Sequence, residues 1–197
     1  EGKAKKVYAT NDENLVIVSY KDDATALDGL KKGTISGKGA INNRMSNYLM
    51  QLLEKNGVPT HFVEELNDRE TVVKKVQIVP LEVIIRNISA GSFAKRYGVE
   101  EGIVFEEPTI EFSYKNDDLH DPLINEYHAL ALKLATREEI DAIKSMAFRI
   151  NEVMKAYFLS LGVKLVDFKL EFGRTPDGTI VLADEISPDT CRFWDIH

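Results

Sequence analysis

Residues 165–189 read LVDFKLEFGRTPDGTIVLADEISPD, and this stretch decides the fold. Val166, Phe168, Leu170 and Phe172 alternate with Asp167, Lys169 and Glu171, a period of two that predicts a strand with its polar residues on one face. Pro176, Asp177 and Gly178 supply a turn, and Ile180, Val181, Leu182 and Ala183 return as an apolar strand that runs into Asp184 and Glu185. Closing that hairpin brings Glu171 close to Asp184. Like charges facing each other in a sheet repel, so a positive group belongs between them. Hard oxygen ligands of this kind suit Mg²⁺, which is held by one or two carboxylates together with substrate phosphates. Glu171 and Asp184 are therefore candidate metal ligands. A solvated strand pair that tolerates the repulsion, or neutralisation of one carboxylate by Lys169, would account for the same residues.

The rest of the chain sets limits on that reading. Its 197 residues are enough for one large domain or two small lobes with a substantial core. Hydrophobic residues make up 44% and charged residues 29%, the balance of an ordinary soluble globular protein. A formal net charge of −7 argues against a general nucleic-acid binder, which carries a basic surplus. Basic residues nevertheless cluster at Lys3, Lys5 and Lys6, at Lys74 and Lys75, and at Lys95 and Arg96, which fits a small phosphorylated ligand. The single cysteine, Cys191, rules out an intrachain disulfide and points to a reducing, cytoplasmic setting. No apolar run reaches the roughly 18–20 residues of a membrane span, and no signal peptide is expected. The absence of an initiator Met makes a further N-terminal piece an expectation.

Working outward from the hairpin, the first third is β-rich. Strands are predicted over 5–9 and 15–20 around an Asn11–Asn14 loop, then over 60–65, 71–79 and 81–88. Between them a small-residue loop over 34–39 leads into a helix over 40–56, stopped by Gly57 and Pro59. Pro80 breaks two strands apart and is the expected lobe boundary, with a β-rich ATP-binding lobe over 1–79 and a substrate and metal lobe over 80–197. A short helix over 93–97 ends at Gly98, residues 108–121 read as extended and irregular, and a helix is expected near 125–133. Thr136-Arg137-Glu138-Glu139 is a capping box that opens the longest helix. Its buried stripe is predicted as Ile140, Ile143, Ala147, Ile150, Val153, Met154, Tyr157 and Leu161, with Gly162 at its end. Strands first and mixed elements later indicate an α+β fold with antiparallel sheets and flanking helices.

Two other segments carry chemistry. Gly2-Lys3-Ala4-Lys5-Lys6-Val7-Tyr8 sets a permissive glycine and several ammonium groups at the mouth of a strand, where backbone N–H groups can approach phosphate. The same residues would also suit a lysine-rich, solvated strand end, and neither GxxxxGK[ST] nor GxGxxG occurs. Arg86 follows Val83-Ile84-Ile85 and so needs an anionic partner at the end of a buried strand. The Ser89-Ala90-Gly91-Ser92 run beyond it offers a helix N-terminus to an anion. An internal salt bridge from Arg86 and a simple cap at Ser92 remain open as alternatives. The four histidines show no metal-ligand spacing. Cys191 reads as a small filler rather than a nucleophile. Asp189 and Arg192 follow the hairpin directly and are within reach of whatever the carboxylate pair holds.

Taken together, GKAKKVY, GKGAINN, VPLEVIIRNISAGSFAKRYG, YKNDDLHDP, LVDFKLEFG and LADEISPDTCRFWD, in that order over essentially the whole chain, resemble the SAICAR synthetase family of purine biosynthesis. The resemblance implies ATP-dependent ligation of L-aspartate to the carboxylate of carboxyaminoimidazole ribotide (CAIR), with ADP and phosphate as co-products. It implies a two-lobed fold related to protein kinases and ATP-grasp enzymes, with ATP in the cleft between the lobes. Gly2, Lys3, Ala4, Lys5 and Val7 would form the loop over the phosphates, Val73 and Ile78 would bracket adenine, and Lys115 would reach the nucleotide. Glu171 and Asp184 would hold Mg²⁺ beside Lys169. Arg86, Ser92 and Arg192 would bind the ribotide, with Asp121 and Asp189 as further substrate-site residues and Lys169, Arg86 and Arg192 as the catalytic set. It also implies a homo-oligomer, a dimer being favoured, and a basic stretch with a closing helix beyond the RFWD segment, whose residues are left unassigned. Two rivals remain: a phosphotransferase acting on a hydroxyl, for which no HRD-type motif is seen, and a non-catalytic nucleotide sensor, which has less need of paired metal ligands.

Overall fold

The computed structural model describes residues 2, 4–26 and 31–196. Its centre is the first strand of the hairpin. That strand, Val163–Arg174, is buried along most of its length because it is paired on both edges. One edge takes Leu81–Ile88 and Gln77–Ile78; the other takes Cys191–Asp195 and then Ile180–Ala183, all antiparallel. Beyond Leu81–Ile88 the sheet continues through Val104–Tyr114 to Leu123–Ile124.

In chain order the strands are β1 (Lys5–Ala9), β2 (Leu15–Tyr20), β3 (Asp23–Ala26), β4 (Lys31–Thr34), β5 (Phe62–Glu65), β6 (Glu70–Lys74), β7 (Gln77–Ile78), β8 (Leu81–Ile88), β9 (Val104–Tyr114), β10 (Leu123–Ile124), β11 (Val163–Arg174), β12 (Ile180–Ala183) and β13 (Cys191–Asp195). The helices are α1 (Lys38–Lys55), α2 (Gly91–Tyr97), α3 (Glu126–Ala131) and α4 (Arg137–Ser160). Strands β7 to β13 form the seven-stranded sheet, and β1, β2, β6 and β5 form a separate four-stranded one. The chain changes sheet between Lys74 and Gln77, so the single strand expected over 71–79 is two.

Helix α4 begins where its capping box predicts. Thr136 Oγ1 accepts from the Glu139 backbone N–H at 3.1 Å, and Glu139 returns the bond to the Thr136 N–H at 2.9 Å. Ile140, Ile143, Ala147, Ile150 and Met154 are fully buried against the large sheet, joining Phe168, Leu170 and Phe172 in the main core. Leu161, expected in that stripe, is exposed, because the helix ends at Ser160 and its stripe ends with it. Helix α1 adds Leu49, Met50 and Leu53 to the same core, while its buried Asn43 and Asn47 face the small sheet. Asn43 donates to the carbonyls of Asn67 and Asp68, and Asn47 donates to Thr71 at 2.7 Å. One helix thus docks on two sheets, with hydrocarbon on one and amides on the other.

Two local expectations fail. Residues 108–121, read as extended and irregular, are regular over their first part: 108–114 belong to an eleven-residue strand over 104–114. Pro108 hid it: the register of β9 against β8 shifts between Arg86 and Ile88, and a proline, with no N–H to donate, is tolerated at such an irregularity. The β3–β4 hairpin was also not foreseen, since Asp23-Ala24-Thr25-Ala26 lacks large apolar residues.

Candidate active site

The alternation of β11 puts Asp167, Lys169 and Glu171 on one face and the core side chains on the other. Glu171 lies opposite Ala183 in the ladder, so continued pleating would turn Asp184 to the far face. Strand β12 stops at Ala183, and Asp184 takes a left-handed backbone conformation, φ +55°, rare for a residue with a Cβ. The pleat is broken there, and Glu171 and Asp184 line the same two cavities.

Three lysines converge on this pair. Lys5, from the small sheet, forms an ion pair with Asp184 and lies 3.6 Å from Glu185. Lys115 donates to Glu171, and Lys169 lies 3.6 Å from both Glu171 and Glu82. Burial pushes Glu171 up to about 7, and the adjacent Asp184 carboxyl adds to the rise. Burial acts the same way on Asp184, but Lys5, Glu171 and Lys169 together outweigh it and hold that carboxyl well below the usual carboxylate range. Within the pair Glu171 therefore holds a proton far more readily than Asp184, and a divalent cation would offset the same crowding of negative charge. Among the described residues no group of three or more His, Cys, Asp or Glu side chains is arranged to hold a metal by itself. Two carboxylates fit Mg²⁺ when phosphate oxygens and water complete the shell.

The pair sits where two cavities meet. A polar cleft of about 810 Å³ includes Gly2, Ala4, Asp121, Lys169 and Glu185 in its lining. A slot of about 360 Å³ is lined by apolar side chains including Val7, Val16, Val18, Val73 and Ile78. Both are bounded by Lys5, Lys115, Glu171 and Asp184. The strand β2 residues, Tyr20, Met50, His61 and Glu82 were missed as lining residues, because each faces the cavities only after the two sheets are brought together. His61 is buried, its backbone N–H donating to the Leu182 carbonyl at 2.9 Å and its carbonyl accepting from the Lys74 N–H at 2.7 Å. Burial lowers its pKa to about 4, with Lys5 adding to the drop, so the ring is neutral at pH 7.

Arg86, Ser92, Asp189 and Arg192 lie outside these linings. Arg86 is buried and forms an ion pair with Glu111, donates to Asp167 at 3.1 Å, and donates to Ser92 Oγ at 2.8 Å. Arg192 approaches the same Asp167 at 3.5 Å, its guanidinium lying against Gly91 where no Cβ intervenes. Asp189 pairs with Lys38 at 2.5 Å and accepts from Asn42 at 3.1 Å. Asp121, within the polar cleft, accepts from the Asn116 N–H at 2.8 Å. Lys3 lies outside the described residues. A third cavity of about 840 Å³, between α4 and β8, β9 and β11, is mainly apolar and contains none of the predicted residues.

The family model described as SAICAR synthetase matches residues 1–197. A phosphoribosylaminoimidazole-succinocarboxamide synthase of Lachnoclostridium phytofermentans is 68% identical over 196 residues, covering 100% of this chain and 83% of its own length. The enzyme of that name from Thermoanaerobacter sp. strain X514 is 64% identical, over 99% of this chain and 83% of its own. Among solved structures, the Ehrlichia chaffeensis synthase superposes with a TM-score of 0.97 at 47% identity, covering 100% of this chain and 84% of that one. A SAICAR synthetase in complex with ADP gives 0.96 at 49% identity, covering 100% and 83%.

Proposed function

The chain belongs to the SAICAR synthetase family, and from that premise we propose how its residues divide the work of an ATP-dependent ligase. The reaction joins L-aspartate to the carboxylate of CAIR and releases ADP and phosphate, a step of purine biosynthesis. The observation that carries the site reading is the apolar slot opening directly onto the Glu171–Asp184 pair and its three lysines. A purine base fits between Val7, Val73 and Ile78, and the triphosphate then extends toward Lys5 and Lys115, with Gly2, Lys3 and Ala4 as the loop above it. The change of sheet between Lys74 and Gln77 supports a division into two lobes, with β7 already on the large sheet and the boundary a few residues ahead of the 1–79 and 80–197 division.

A carboxylate is a poor acyl donor, so it must be activated. A CAIR carboxylate oxygen attacks the γ-phosphorus of ATP and ADP departs, leaving an acyl phosphate. The aspartate amine attacks the acyl carbon, loses a proton, and phosphate leaves with the former carboxylate oxygen. Phosphoryl transfer needs positioning and charge neutralisation more than a protein nucleophile. Lys5, Lys115 and Lys169 supply fixed positive charge, and Glu171 and Asp184 would hold Mg²⁺, which neutralises phosphate oxygens when bound. Arg86, Ser92 and Arg192 are assigned to the ribotide, with Asp121 and Asp189 as further substrate contacts. Arg192, partly exposed beside Gly91, is the most accessible donor of that set.

Oxygen-18 placed in the CAIR carboxylate should appear in released phosphate, and sustained ADP production over many turnovers should require both CAIR and aspartate. Unlabelled phosphate would remove the acyl-phosphate step, and sustained ADP production at the full rate without aspartate would remove the coupling of ATP cleavage to ligation. A homodimer in the cytoplasm is the assembly and setting this reading carries, checked by light scattering. The described residues contain no helix long and apolar enough to cross a membrane.

A further inference from the structure

We propose that Gly173 is a positioning residue for the nucleotide base: the side chain it lacks leaves room on β11 for Val76, in the crossover between the two sheets, to form part of the wall of the apolar slot. Gly173 follows Lys169 and Glu171 at a spacing of two, so a side chain there would point to the same face as theirs. Val76 fills that place. A Cβ on Gly173 would stand 2.7 Å from the Val76 Cβ and also meet its Cγ2, where carbons pack at about 3.5–4.0 Å. The φ of Gly173 is not positive, so backbone conformation does not require glycine here; the contact does. A glycine inside a strand weakens it and marks a close approach by another segment.

The crossover is pinned on both sides of Val76. The Lys75 N–H donates to the Asn14 carbonyl of the small sheet's first hairpin at 2.8 Å, and the Val79 N–H donates to the Phe172 carbonyl of β11 at 2.9 Å. Strand β7 pairs Ile78 with Gly173 and Gln77 with Arg174, a ladder that would next set Val76 opposite Thr175. The chain instead folds back, so Val76 covers Gly173 and lines the slot beside Val73 and Ile78. The Val76 Cβ is bonded directly to the main chain and cannot swing away by a rotamer change. Any side chain at Gly173 must therefore push the crossover itself, and with it the slot wall. The carboxylates and lysines at the other end of the slot are held by other contacts.

The inference rests on the nucleotide reading above, and its test separates the base from the phosphates. Calorimetric titrations with ADP and with inorganic pyrophosphate, both with Mg²⁺, give a ratio of affinities that reports the slot alone. In Gly173→Ala that ratio should fall by about tenfold, while pyrophosphate binding stays near wild type. Adding Val76→Gly removes the clash and lets the new methyl group take the vacated place, so the double variant should return to near the wild-type ratio. An unchanged ratio in Gly173→Ala overturns the proposal, as does a double variant no better than Gly173→Ala. Equal loss of both ligands overturns it too, since that marks a merely structural role. Should Gly173→Ala not fold, Val76→Ala decides: trimming two methyl groups from the wall should lower the ratio by about fivefold, and an unchanged ratio overturns the proposal. If the wild-type protein binds ADP no more tightly than pyrophosphate, the base has no seat in the slot, and the nucleotide reading fails together with the inference.

Discussion

The two halves of β11 solve the same electrostatic problem in opposite ways. Asp167, in the first half, is flanked by Arg86 and Arg192, and Arg86 in turn by Glu111, so acids and bases alternate across the sheet. Burial raises the Asp167 carboxyl, with Arg192 and Arg86 opposing it. Glu171, four residues on and on the same face, lies beside another acid, and burial and Asp184 raise its carboxyl although Lys115 and Lys169 oppose them. The first half carries its counterions within the fold. The second leaves room for one from outside, which is where a metal–phosphate ligand belongs.

Substitutions should separate these halves. The largest effect is expected for Glu171→Gln, which copies the protonated side chain: ligase activity should fall by about a thousandfold, while the melting temperature stays near wild type. A large fall in melting temperature would place Glu171 with the structural half instead. Asp167→Asn should act the other way and destabilise by about 3 kcal/mol, because breaking a buried pair leaves arginine charge poorly compensated. Urea denaturation measures it, and an unchanged midpoint would erase the distinction.

The smallest effect lies away from both halves. Arg174, at the end of β11, donates to Glu139 in the α4 capping box and holds that carboxyl below its usual range. A depressed carboxyl stabilises the fold above its unfolded pKa of about 4.3, and that contribution is lost as pH falls through the folded value. Glu139→Gln should cost about 1 kcal/mol at pH 7 and flatten the fall in stability below about pH 4. A variant that keeps the full acid slope would move its origin elsewhere.

Much of this molecule is legible without coordinates. The hairpin is legible from its period of two and its Pro-Asp-Gly turn, and α4 from Thr136 and Glu139, because those residues act on neighbours within about three positions along the chain. Strand β9 was obscured by Pro108, whose cost vanishes once it sits at a register shift, and β3–β4 by side chains too small to leave a periodic pattern. The proximity of Glu171 and Asp184 follows from hairpin closure. The backbone twist that completes it does not, since no residue type announces a left-handed Asp184.

Local alternation, capping and turn chemistry are written in the order of residues, so sequence by itself determined the elements and which residues carry charge. Partnership is not local. Only strand pairing within the large sheet decided that Arg86 meets Glu111 and Asp167, and only the packing of the two sheets that Lys5 crosses from β1 to Asp184, since these contacts join residues from 25 to 179 positions apart.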